Sequence, residues 1–166
     1  MIFFVLTDTK NIMGLFTKIH QRFLNENDKS NNSHIKNLIL LSKANGGLGE
    51  HESSIIKTIA ENLYMSNGSV YRISKHLKDI PFHIPLSEKR KFDQMYDLVF
   101  LLLLSNQSAG IETDESYMII KMIALKYGFE INIINKIKCK IVESQFWKHR
   151  QLDNEKKVIQ NQIRYN

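Results

Sequence analysis

Cysteine is almost missing from this chain: its 166 residues include one, Cys139. A lone thiol excludes an internal disulfide and a cysteine-based zinc cage. It also fits a reducing compartment, so the cytoplasm is the expected location. The thiol is expected to be buried or inert, as free cysteines commonly are. Proline is nearly as scarce, with Pro81 and Pro85 alone, and there are seven glycines. A β-sandwich needs many Gly- and Pro-bearing turns, so this scarcity points to helices joined by few connections.

Long hydrophobic runs are missing too. The longest, Leu98 to Leu104, falls far short of the ~20 residues that a membrane-spanning helix requires. The opening Met1 to Leu6 is apolar, but it has no basic residue ahead of it and Asp8 follows closely, which is unlike a secretory signal. Met13-Gly14-Leu15-Phe16 opens a better amphipathic helix, so Met13 is as good a start as Met1. Catalytic patterns are lacking as well. The six histidines form no His-x-x-x-His pair, no Gly-x-Ser-x-Gly is present, and Asn67-Gly68-Ser69 lacks the glycines and lysine of a phosphate loop. The chain is expected to be no enzyme.

What remains is a globular composition, 43% apolar and 24% charged, with enough length for one core. Helical periodicity dominates. Leu15, Phe16, Ile19 and Phe23 mark a first helix to about Leu24, and Asn25 to Asn32 reads as an exposed polar linker. Ser33 is a candidate N-cap for a helix carrying Ile35, Leu38 and Ile39, ended by Asn45-Gly46-Gly47. The next helix runs from about Glu50 to Tyr64, and a short one capped by Ser66 follows.

Ile80 to Pro85 must be extended, because proline disfavours helical geometry in the residue before it. From Ser87 to Ser105 the spacing predicts a central, mostly buried helix, with Phe92, Tyr96, Val99, Phe100 and Leu103 inside. Within it, Asp97 is expected to bond a neighbouring helix terminus. After a break over Asn106 to Glu112, Thr113 caps a helix stopped by Gly128, and a last helix starts near Asn132. A faint repeat aligns Gly47–Ser53 with Gly110–Ser116, which superposes Ile59 on Met122 and Tyr64 on Tyr127.

Two stretches carry a family resemblance. Ser42-Lys43-Ala44-Asn45-Gly46-Gly47-Leu48, followed by Glu50 and Glu52, resembles the first motif of the TerB-like tellurite-resistance domains: a turn, a hydrophobic residue and a glutamate-rich helix start. Tyr96-Asp97-Leu98-Val99, with Ile111-Glu112-Thr113-Asp114-Glu115, resembles the second copy. The resemblance covers about Ile35 to Val142. It implies an all-α, single-domain bundle of about seven helices in two pseudo-symmetric halves. On that reading, 1–32 are an N-terminal helix and linker, 33–142 the TerB-like domain and 143–166 a basic helical arm.

The resemblance further implies a stress-associated interaction module with a protein partner. Divalent-metal binding would fall on Glu50, Glu52, Glu112, Asp114 and Glu115. The chain departs from the family pattern where Asn45 stands in place of aspartate and where Ser105 to Ala109 replace an aspartate-glycine pair. A hard cation wants several carboxylates, so metal binding is expected to be poor or absent, and no other cofactor is implied. The same acidic residues also read simply as compensation of helix dipoles.

The charge of +6 is uneven. From Lys136 onward eight basic residues face three acidic ones, so this C-terminal stretch carries +5 of it. Phe146-Trp147-Lys148-His149-Arg150 combines aromatic and basic groups. Phe146, Trp147, Lys148 and Arg150 are therefore candidates for a partner or polyanion surface, either nucleic acid or the face of an anionic membrane. The alternative is a helix whose aromatics pack back on the domain.

Overall fold

The computed structural model describes residues 24–109 and 114–144 together with Ile19, with side chains for all of these but 106–109 and 114. It is all-helical, with no strand among the described residues. The order is α1 (Glu26–Ala44), α2 (Glu50–Asn62), α3 (Asn67–Lys75), a 3-10 turn (Leu77–Asp79), α4 (Glu88–Ala109), α5 (Asp114–Lys126) and α6 (132–144). No helix among the described residues is long and apolar enough to cross a membrane.

Local chemistry accounts for most boundaries. Ser66 Oγ accepts from the Ser69 N–H at 3.2 Å to start α3, and Ser87 Oγ accepts from Arg90 N–H at 3.3 Å to start α4. Three helices end in the same six-residue turn, where an N–H reaches back five residues: Gly47 to the Ser42 carbonyl, Met65 to Ala60 and Phe129 to Ala124. That turn needs one left-handed residue. Gly46 and Gly128 supply it without strain, while Tyr64 adopts φ 57 with a Cβ present. Apart from Ile19 and Leu24, the first helix (13–24) lies outside the described residues, as does the Thr113 cap.

The largest departure from the sequence reading is α1. Residues 25–32 are no linker: Asn25 caps α1 by accepting from Asp28 N–H, and the helix passes through the expected 32/33 boundary without a break. Ser30, Asn31, Asn32, Ser33, His34 and Asn37 are all buried. Helix α1, not α4, is the hub, packing against α2, α3, α4 and α5. Asn, Ser and Asp are weak helix formers because their side chains compete for backbone bonds, so propensity pointed the wrong way and tertiary burial decided.

The expected inner face of helix α4 holds in part: Val99 is buried as expected, and the other four expected residues pack against the core without being enclosed. Met95, Leu98, Val99, Leu101 and Leu102 are fully buried, while Phe92, Tyr96, Phe100 and Leu103 are only partly so. It runs to Ala109, beyond the expected stop at Ser105. Helix α6 seals the core with Ile134, Ile137 and Ile141. Cys139, expected to be buried or inert, is exposed on that helix.

The segment 80–85 crosses the bundle as an extended strap. Ile80 and Pro85 are buried, Lys36 Nζ donates to the Ile80 carbonyl at 2.6 Å, and Phe82 packs 5.9 Å from the Tyr127 ring with Lys126 over its other side.

The revised core has a direct consequence. Leu98→Ala, at a site with no exposure, should cost about 2–5 kcal/mol in urea unfolding, and Phe100→Ala should cost less. The reverse order would show that the expected face of α4, not the observed one, carries the core.

Candidate functional site

The glycine turn between α1 and α2 builds a shallow pocket of about 400 Å³ lined by Asn45, Gly46, Gly47, Leu48, Gly49, Glu52 and Ser105. Gly49 is the N-cap of α2 and has no side chain to offer, so Glu52, three residues on, folds back over it. A Cβ at position 49 would meet Glu52 Oε2 at 2.7 Å, which is why glycine suits the position. Of the acidic candidates whose side chains are described, Glu52 alone lines this pocket. Glu50 and Glu115 are exposed, at the starts of α2 and α5. Glu112 and the Asp114 side chain lie outside the described residues, as do Phe146, Trp147, Lys148 and Arg150.

Among the described residues, no three His, Cys, Asp or Glu side chains come together as a metal site would require. The repeat does not carry through to environment either. Ile59 is buried and Met122 half-exposed, while Tyr64 is almost fully exposed and Tyr127 buried.

The denser chemistry lies where the sequence reading placed a linker. Helices α1 and α4 meet through a row of polar pairs. Arg90 donates to Asn27 and, at 2.9 Å, to Asn31; Gln94 Nε2 donates to Ser30 Oγ at 3.0 Å; His34 Nε2 meets Asp97 Oδ2 at 2.9 Å. The partners are separated by 63, 59, 64 and 63 residues, so the two helices run parallel and stay in step. Tyr127 of α5 closes the row by donating its hydroxyl to Gln94 Oε1 at 2.6 Å.

Asp97 therefore bonds a side chain of α1, not a helix terminus. His34 is fully buried and Asp97 about one-third exposed, so the carboxylate opens to solvent and the imidazole does not. The free His34 Nδ1 is sealed inside, where no substrate reaches it. This base–orienter pair has the elements of a catalytic dyad but no access.

The row has a signal in the sequence that the linker reading passed over. Arg90, Gln94 and Asp97 fall at i, i+4 and i+7 on α4, and Asn27, Ser30, Asn31 and His34 repeat the spacing on α1. Two matched polar stripes are what a polar helix contact requires.

Burial alone pushes the Tyr127 hydroxyl well above its ordinary value of 10.0. Burial also lowers Lys36, with a smaller contribution from the nearby charge of Lys126. The folded protein thus keeps the Tyr127 proton where the unfolded chain has released it. Stability from this group is complete below pH 10 and falls as the pH climbs above it. Lys36 acts oppositely: its charged form is disfavoured by folding, and that penalty fades as pH approaches 10.5.

Tyr127→Phe should cost about 1–3 kcal/mol at neutral pH, because Gln94 Oε1 loses its buried donor. In alkaline denaturation the variant should also lose less stability above about pH 10 than the parent. Equal alkaline slopes would remove Tyr127 from the account. Calcium or magnesium at millimolar concentration should leave the melting temperature unchanged, since one carboxylate in the glycine pocket makes no hard-ion cage. A saturable shift at micromolar calcium, lost in Glu52→Ala, would reverse that reading.

No protein-family model, curated protein or solved structure matches this chain. The likeness to TerB-like domains therefore stands on the motif residues alone.

Proposed function

We propose that this chain is a non-catalytic, cytoplasmic interaction module of TerB-like, pseudo-symmetric design, stress-associated as that resemblance implies, with an acidic turn too poor in carboxylates to be a metal site. The observation that carries the interaction reading is an exposed apolar stripe on α5. Met118, Met122 and Leu125 lie at i, i+4 and i+7 and are each about half exposed, at 49%, 52% and 54%. Scattered exposed apolar residues are ordinary, but three on one helix face form a contiguous strip. Flexible methionines adapt to a partner's shape, and the spacing suits the apolar face of an amphipathic helix from another protein. The buried His34 imidazole supports a non-catalytic role for that pair, since its free Nδ1 cannot touch a ligand.

The +5 charge from Lys136 onward favours a second reading, in which Phe146, Trp147, Lys148 and Arg150 engage nucleic acid or an anionic membrane surface.

Affinity capture from native lysate with the intact chain and with Met122→Glu separates these readings. The module reading expects a defined protein that is retained by the parent, lost in Met122→Glu, and accompanied by an unchanged melting temperature. Nuclease-sensitive material that falls away steeply with salt and ignores Met122→Glu would replace it with the second reading.

A further inference from the structure

A second pocket, of about 300 Å³, is framed by the start of α1, the α2–α3 turn and α3. Leu24, Asp28, Asn31, Asn32, Tyr64, Met65, Ser66, Ser69 and Arg72 line it. Its volume sits at the low end of the ~300–1,000 Å³ typical of small-molecule sites, and most of its lining is polar.

Four features point to a ligand. Arg72 is half-buried, its Nε is sealed from solvent without a hydrogen-bond partner, and its guanidinium forms no ion pair among the described residues. Asp28 shares the wall with Arg72 but the two do not neutralise one another. Asn32 is 5% exposed and lies in the pocket wall. Finally, α3 begins beside Ser66 and Ser69 with no acidic residue in its first turn, its only side-chain cap among the described residues being Ser66 Oγ on the Ser69 N–H.

We propose that this pocket binds a small zwitterion, a free α-amino acid. The planar guanidinium of Arg72 takes the carboxylate as a two-pronged partner, aided by the N-terminal end of α3. Asp28 takes the ammonium. The Asn32 amide and the Ser66 and Ser69 hydroxyls complete the ligand's hydrogen bonds, and Met65 and the Tyr64 ring flank an apolar side chain. A phosphate fits less well, because the Asp28 carboxylate on the same wall would repel it. A nucleotide is too large for the space.

The test uses the full chain, with isothermal titration and thermal melts against glycine, serine, glutamine and methionine, and with acetate, methylamine and inorganic phosphate as single-charge probes. At least one amino acid should bind saturably, while acetate and methylamine, each able to meet only one of the two charges, should not. Arg72→Gln and Asp28→Asn should each weaken that binding about tenfold or more, as loss of a charge-assisted contact does. If Arg72→Gln melts early without ligand, Arg72→Lys reads the same contact, since it keeps the charge and loses the fork. Saturable phosphate binding without amino-acid binding would make this an anion site and overturn the proposal. So would amino-acid binding indifferent to Asp28→Asn, or no binding of any amino acid at millimolar concentration.

Discussion

The burial of a polar helix is the constraint around which the rest of the molecule is arranged. Helix α1 passes through the middle of the bundle carrying Ser30, Asn31, Ser33, His34 and Asn37 inside it. A buried amide or hydroxyl without a partner costs about 1–3 kcal/mol, so several together would unfold a domain of ordinary stability. Neighbouring elements answer much of that demand, although His34 Nδ1 and Asn37 Nδ2 stay without a partner among the described residues. Helix α4 supplies Arg90, Gln94 and Asp97, α5 supplies Tyr127 through Gln94, and the 80–85 strap gives the His83 N–H to Ser33 Oγ at 2.9 Å. The strap's position follows from this as much as from its prolines.

A matched polar row also fixes register. Apolar helix faces tolerate sliding, because one methylene group replaces another at little cost. Hydrogen bonds between Gln94 and Ser30 or between His34 and Asp97 do not, since a slip of one turn leaves several buried groups unpaired at once. The parallel arrangement of α1 and α4 gains nothing from their helix dipoles, which point the same way. The polar row supplies the specificity that dipole pairing does not.

Much of this was legible before the structure. Ser66 and Ser87 as caps, Gly128 as a stop and an extended Ile80–Pro85 are local statements, and local chemistry decides them. The glycine turn was legible for the same reason, because Asn45-Gly46-Gly47 and Glu52 act within a few residues of one another. Helix α1 was not, because the stabilisation of Ser30 and Asn31 comes from residues about 60 positions away, and composition alone reads such a run as solvent-facing. The face of α4 was legible only in part, for a related reason. Seven apolar positions admit several faces, and the choice among them was made by where Arg90, Gln94 and Asp97 had to point.

The distribution that results is inverted relative to a simple amphipathic bundle. Asparagine and serine are inside on α1, while Met118, Met122 and Leu125 are half outside on α5. At about 25 cal/mol per Å² of apolar surface, each of those three side chains leaves on the order of 1 kcal/mol unrealised. Stability alone does not account for that arrangement, because polar residues at 118, 122 and 125 would disturb no buried contact of the stripe. Parallel α1 and α4, locked in step by their polar row, hold α5 through Tyr127 and so present its outer face in a fixed orientation. A rigid helix with an uncovered apolar strip keeps its binding face pre-ordered, and a partner then meets it at a lower entropic cost than it would a surface that must first be arranged.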